Sequence, residues 1–273
     1  MLEGNATLIA ARLIEARLRA QMCTFADQFE GRPRTEEEAY AIQDELQAMF
    51  RARVGGEVSG YKVGLVTSAI RDQCGGRDRL GIDWPVYGRL FSNYTFLNTA
   101  ALSLSQFVRP SVECELAIRI GSDVPRRDRE YDEKSIASHV SACMAGIELV
   151  DFHIPFFEYS SPLAPLFIAD NGSNWGCVLG SPIENWQSLN LAELQGSLFK
   201  NGNLLDSGKG EVLNGHPLKV LAWLQNHLSK MGKTLRAEEI IMLGSVTPNF
   251  PISSSCTIEV DWGVLGKASV QFD

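Results

Sequence analysis

The sequence predicts an α+β protein, a mixed β-sheet curled into a roll with an N-terminal helical cap. Three observations predict it. Residues 1–55 contain two stretches whose apolar residues recur at three- and four-residue spacing. From Val58 onward the pattern changes to short β-branched runs separated by Gly, Pro, Asn and Ser. Those runs are too irregularly spaced for repeating βαβ units, so a doubly wound parallel sheet is not expected. The expected organisation is an N-terminal helical region over 1–55 and a β-roll domain over 56–273, together one structural unit.

Taken in order, residues 6–30 read as an amphipathic helix. Leu8, Ala11, Leu13, Ala16, Leu18 and Met22 supply its apolar positions, and Gly31-Arg32-Pro33 stops it. Thr35 opens a second helix, because Glu38 three residues later completes a capping box. Tyr40, Ile42, Leu46, Met49 and Phe50 are its apolar positions, and Gly55-Gly56 ends it. Strands are predicted at VSGYKVGLV (58–66), PSVECELAIRI (110–120), AGIELVDF (145–152) and WGCVLG (175–180). Further strands are predicted at LQGSLFKNG (194–202), EEIIMLG (238–244), CTIEVDW (256–262) and KASVQF (267–272). Asn201-Gly202 signals a two-residue hairpin turn. A helix runs from Pro217 to about Met231, with Leu218, Leu221, Leu224 and Leu228 on one face and Gly232 closing it. A weaker helix is predicted around Glu133–Cys143.

Composition narrows the function. The chain has 273 residues, 45% hydrophobic and 21% charged, and 25 basic against 33 acidic residues give a net charge of −8. That balance, with no Lys/Arg run, argues against nucleic-acid and anionic-membrane partners. No stretch approaches the ~20 apolar residues of a membrane span. The N-terminus has no basic leader, and Arg12, Glu15, Arg17 and Arg19 interrupt its apolar residues, so no signal peptide is read and a cytoplasmic location is expected. The six cysteines are scattered without a CxxC, which points to reduced thiols rather than disulfides or a cysteine zinc site. Phosphate-binding glycine loops, HExxH and GxSxG are absent. The four histidines show no ligand spacing; His216 stands out slightly, just before a helix start.

The informative segment is Arg109–Ile118. In a strand, residues two apart share a face. Val112, Cys114, Leu116 and Ile118 therefore point to the core, while Glu113 and Glu115 point together to the other side. An isolated pair of this kind is most simply a solvated polar face. The sharper reading is a divalent-cation site, because hard cations take carboxylate oxygens. Glu148 favours the sharper reading, since it stands alone among Ile147, Leu149 and Val150 and needs a cation, a proton or several donors if buried. Lys62 lies inside the Gly-bounded apolar stretch Gly60–Leu65. It either snorkels from an edge strand or serves as a cation that holds a carboxylate or moves protons.

Seven stretches in this order resemble the 2-keto-4-pentenoate hydratase / 4-oxalocrotonate decarboxylase family, within the fumarylacetoacetate hydrolase-like superfamily. They are GYKVGL (60–65), GIDWPVYGRLF (81–91), PSVECELA (110–117), AGIELVD (145–151), ADNGSNWGCVLG (169–180), the 214–235 stretch from NGHPLK onward, and IIMLGSVTP (240–248). The resemblance implies a roll of the fumarylacetoacetate hydrolase C-terminal type. It assigns Glu113, Glu115 and Glu148 as ligands of Mg²⁺ or Mn²⁺, and Lys62 and Asp83 as catalytic residues. It implies a homo-oligomer acting on small 2-oxo or 2-hydroxydienoic acids of aromatic meta-cleavage pathways. The leading expectation is hydration of a 2-hydroxy-2,4-dienoate. The alternatives are decarboxylation of a 2-oxo-hexenedioate, C–C hydrolysis, and a non-catalytic partner subunit of the same fold. Hydrolysis ranks low, because that chemistry uses a His–Glu pair on an N-terminal lid and no His precedes His139. Three stretches depart from the family pattern: Val66-Thr67 in place of Thr-Ser, Asn174-Trp175 near a usual glycine, and Asp151-Phe152-His153 in place of Asp-Ser-Arg.

Overall fold

Two helices lead the chain in the computed structural model, which describes residues 2–23, 32–82, 84–155 and 163–273. They are α1 (Leu2–Leu18) and α2 (Glu36–Val54). The capping box at the start of α2 forms as its sequence predicts: Glu38 N–H donates to Thr35 Oγ1 at 3.2 Å, and Glu38 Oε2 accepts from Thr35 N–H at 3.3 Å. The first helix differs from expectation. It ends at Leu18, with Ala20 at φ 47, and residues 24–31 lie outside the described residues. Its buried face is also rotated: Ile9, Ala10, Leu13, Ile14 and Arg17 point inward, while Leu8, Leu18 and Met22 are exposed. Arg17 joins this face although its charge reads as outward-facing. It donates to the Asn174 carbonyl at 2.5 Å and lies 3.9 Å from the Asp170 carboxylate.

The remaining elements are mostly strands. The first half holds β1 (Val58–Gly64), the short helices α3 (Ser68–Gln73) and α4 (Gly76–Leu80), β2 (Val86–Phe91), β3 (Thr95–Leu97), β4 (Thr99–Leu102) and β5 (Pro110–Ile120). Then follow α5 (Glu133–Ala137), β6 (Val140–Asp151), α6 (Ala164–Ala169), β7 (Asn174–Leu179), β8 (Gln195–Lys200) and β9 (Asn203–Lys209). Last come α7 (Pro217–Lys230), β10 (Ile240–Ser245), β11 (Phe250–Pro251), β12 (Cys256–Asp261) and β13 (Lys267–Phe272). The helix predicted over 133–143 is thus cut short at Ala137. From residue 140 the chain pairs along β5, from Ile120↔Val140 to Pro110↔Asp151, and that long antiparallel ladder overrides the local helical preference.

Among the described residues, the strands form two mixed sheets. One has eight strands in the order β2-β1-β10-β5-β6-β7-β3, with β11 also on β5; the other has five in the order β4-β13-β12-β8-β9. The β8–β9 hairpin closes at Lys200↔Asn203, over Asn201 at φ 51 and Gly202 at φ 78, two left-handed residues as a tight hairpin turn demands. The main core joins α1 and α2 to both sheets through residues such as Leu13, Phe50, Leu116, Val178 and Trp262. A second, small apolar cluster contains Leu90, Ala117, Met144, Cys177 and Met242. It shares a face of the larger sheet with Glu113, Glu115, Glu148 and Lys62, because Met242 pairs with both Lys62 and Ala117 and Cys177 pairs with Glu148. Among the described residues, no helix is long and apolar enough to cross a membrane.

Candidate active site and metal centre

Strand register builds the centre of the site. Glu113 on β5 lies directly opposite Glu148 on β6, while Glu115 lies opposite Gly146. Each of the three carboxylates offers an oxygen, and these oxygens all lie within 4.8 Å of one another. The face carrying Glu113 and Glu115 is not a solvated one. Glu115 and Glu148 are buried and Glu113 is only partly exposed.

Each carboxylate is held by a different device. Asn249 donates its amide to Glu113 Oε1 at 3.0 Å. Asn174 donates to Glu148 Oε1 at 2.8 Å, and Lys62 Nζ lies 3.3 Å from the same oxygen. Glu115 Oε2 accepts the backbone N–H of Gly244 at 2.8 Å. That N–H is free because the β10–β5 register slips between Met242 and Ser245, and Gly244 takes φ 100. A side chain there would strain the backbone and meet Val66 at 2.6 Å, so the glycine is needed twice. Glu115 Oε1 has no partner among the described residues.

Lys62 does not snorkel. It is 3% exposed, and its ammonium lies 5.1 Å from the centre of the Phe167 ring. The turn from α6 into β7 encloses it. Asn171, Gly172 and Ser173 all adopt left-handed φ, and Asn171 latches the turn to β2 by accepting from Arg89 N–H at 2.7 Å and donating to the Arg89 carbonyl at 2.9 Å. A Cβ on Gly172 would lie 2.6 Å from Lys62 Cε.

A buried ionic network stands behind this turn. His153 Nε2 is 3.1 Å from Asp151, His153 Nδ1 is 3.9 Å from Asp170, and Arg17 approaches the other oxygen of Asp170. Burial pushes the Asp170 carboxyl up, against the opposing pull of His153 and Arg17. His153 therefore sits in structural support rather than among the three glutamates, and His216 serves as the N-cap of α7, accepting from Leu218 N–H at 3.2 Å. Asp83 lies outside the described residues.

The electrostatics are those of an under-neutralised cluster. Burial first, then the charge of Glu148, pushes the Glu113 carboxyl up to about 7, with Lys62 and Asn249 opposing. Glu115 is pushed well up by burial, Glu148 and Glu113. Three carboxylates against one ammonium leave 3 − 1 = 2 negative charges when all are ionised. A divalent cation would cancel that excess, and three carboxylate oxygens would leave it coordination positions open. The unpartnered oxygen of buried Glu115 fits the same conclusion, since an unpaired buried carboxylate is unfavourable. Beside the cluster lies a cavity of about 300 Å³ lined by Lys62 and Glu113, with Val66, Ile70, Leu80, Leu163 and Phe167 among its apolar wall. Val66 thus fills a wall position, while the hydroxyl of Thr67 accepts from Ile70 N–H at 3.1 Å and caps α3.

Glu113, Glu115, Glu148 and Lys62 are accessible to sequence reasoning through strand periodicity and apolar context. Asn174, Asn249 and the Gly244 N–H are not. Asn174 carries one sequence signal, a polar amide at the start of an apolar strand run.

Fold and site together define a roll with a carboxylate trio on its larger sheet, and the chain belongs to the fumarylacetoacetate hydrolase family: the model described as fumarylacetoacetate (FAA) hydrolase C-terminal matches residues 92–272. Among curated relatives, a 2-keto-4-pentenoate hydratase of Paraburkholderia phymatum is 30% identical over 273 residues, covering 97% of this chain and 96% of that protein. A 4-oxalocrotonate decarboxylase of Pseudomonas putida is 26% identical, covering 86% of this chain and 84% of its own length. The fold matches that of 4-oxalocrotonate decarboxylase from Pseudomonas putida G7, complexed with magnesium and adipate, with a TM-score of 0.87 at 23% identity over 99% of this chain and 98% of that one.

Proposed function

We propose that this protein is a divalent-metal-dependent hydratase of the 2-keto-4-pentenoate type, adding water to a short 2-hydroxy-2,4-dienoate to give a 4-hydroxy-2-oxo acid. The observation that carries the reading is the converging trio Glu113, Glu115 and Glu148 with Lys62 beside it, opening on a small cavity. The relatives named above support the reaction class. Glu113, Glu115 and Glu148 would hold the ion, Mg²⁺ or Mn²⁺. Once bound, such an ion supplies Lewis acidity to the carboxylate and 2-oxygen of an adjacent acid.

The protein's own groups do the rest. Asn249 and Asn174 fix the carboxylates of Glu113 and Glu148, so that these ligands need no reorganisation. Lys62 presents its ammonium to the cavity, where it neutralises an incoming substrate carboxylate and moves a proton between substrate carbons. Phe167 restricts where that ammonium can go. Asp83 is assigned as the second acid–base group. Hydration requires a proton to be delivered along the dienol and water to add to the distal carbon of the resulting enone. The partner is a small acid, and we place the protein in the cytoplasm as a homo-oligomer.

A second reading, decarboxylation of a 2-oxo-hexenedioate, draws on the decarboxylase relative and uses the same residues. The test is to mix the magnesium-loaded protein with 2-hydroxypenta-2,4-dienoate and with the hexenedioate. The conjugated absorbance is followed and the products are weighed. A product heavier by one water supports the hydratase; one lighter by carbon dioxide supports the decarboxylase; no loss of absorbance with either removes both.

A further inference from the structure

The polar groups of the cavity gather at its carboxylate end. Lys62 pairs with Glu148, Asn249 donates one amide hydrogen to Glu113, and the Ser245 hydroxyl donates to the Thr247 carbonyl at 2.7 Å. The rest of the described lining is aliphatic, aromatic or backbone, apart from the weakly donating thiol of Cys74. The nearby arginines do not line it. Arg71 donates to the Leu65 and Val66 carbonyls at 2.6 and 2.9 Å, and Arg79 is likewise engaged in an interaction of its own.

We propose that this cavity receives an uncharged apolar tail of the substrate and discriminates against substrates that end in a second carboxylate. The inference rests on the head-group reading above, in which Lys62 and the carboxylate cluster take the substrate's 2-oxo acid end. A tail entering the cavity meets Val66, Ile70, Leu80, Leu163 and Phe167 and gains about fourfold in affinity per buried methylene. A terminal carboxylate would lose its water against this wall, whose side chains offer no donor, weakening binding by about ten- to a hundredfold. The volume, about 300 Å³, lies at the small end of ligand pockets, so the favoured tail is a short alkyl chain. The structural neighbour that contains adipate shares the fold, yet here such an acid's second carboxylate would face a hydrocarbon wall.

The test uses two acids that differ only at the far end and carry no diene, 2-oxohexanoate and 2-oxoadipate. Calorimetric titration into the magnesium-loaded full chain is expected to show the monoacid binding at least about tenfold more tightly. Equal affinity, or preference for 2-oxoadipate, overturns the proposal. Ile70→Arg, on a half-buried wall position, should raise 2-oxoadipate affinity about tenfold and weaken 2-oxohexanoate. Should that variant misfold, the wild-type pair still decides. If neither acid binds while 2-hydroxypenta-2,4-dienoate is consumed, the tail proposal falls alone; if the dienoate is not consumed either, the hydratase reading falls with it.

Discussion

Replacing Glu113 by Gln should change how the metal-free protein's stability depends on pH. The Glu113 carboxyl rises from its ordinary 4.5 to about 7, because burial and the charge of Glu148 outweigh Lys62 and Asn249. A group whose pKa is raised on folding contributes its full stability below the unfolded value and loses it as pH rises through the folded value. Between about pH 5 and pH 8 the loss for Glu113 comes to about 2–3 kcal/mol. Glu113→Gln imitates the protonated carboxyl and should remove that slope. His216 and His227, whose pKa values burial lowers, contribute the opposite slope below pH ~6.5, so the quantity to read is wild type minus variant. The assay is urea unfolding of chelator-treated protein across this range, followed by magnesium titration. Magnesium should restore the wild type most at the alkaline end, by about 2.7 kcal/mol at a hundredfold excess over Kd, because it binds the ionised ligands. It should stabilise the variant far less. Identical pH slopes for the two proteins, or equal rescue by magnesium, would refute the view that Glu113 belongs to an under-neutralised buried cluster.

Three other substitutions probe the surroundings of the ion. Lys62→Met should lower kcat/KM by about a hundredfold or more with a much smaller effect on unfolding, since Val63 and Phe167 offer an apolar bed; unchanged turnover of a confirmed substrate would take Lys62 out of the reaction. Asn174→Ala deletes the amide bond to Glu148 and should weaken magnesium binding about 10- to 100-fold, measured by calorimetry. Arg17→Met strips Asp170 and the Asn174 carbonyl of their cation and should reduce stability by about 3–5 kcal/mol in urea unfolding, with restored stability not expected from magnesium alone.

The sequence disclosed what depends on local repetition. Period-two alternation placed Glu113 and Glu115 on one face, the threonine–glutamate spacing located the start of α2, and Asn201-Gly202 marked its hairpin. A lone glutamate and a lone lysine in apolar strands pointed to the remaining charges of the cluster. What depends on tertiary pairing stayed hidden. The inward place of Arg17 on α1 depends on Asp170, 153 residues away, a distance no helical period can encode. The strand start at Val140 is imposed by β5, and the Gly244 N–H that holds Glu115 is a backbone donor that any residue type would carry. Asn174 looked like a disturbance of a loop; in the folded chain its amide steadies Glu148.

Arg17 links the first helix to the carboxylate cluster. Its guanidinium holds the carbonyl of the same Asn174 whose side chain holds Glu148, so the docking of the first helix is transmitted to the carboxylate cluster through Asn174. A genetic screen for lost activity will therefore return changes on α1, such as at Ile9, Leu13 or Arg17, that touch no substrate. Their signature will be a reduced fraction of properly assembled molecules rather than altered chemistry in each one, and suppressors that reseat the helix will rescue them.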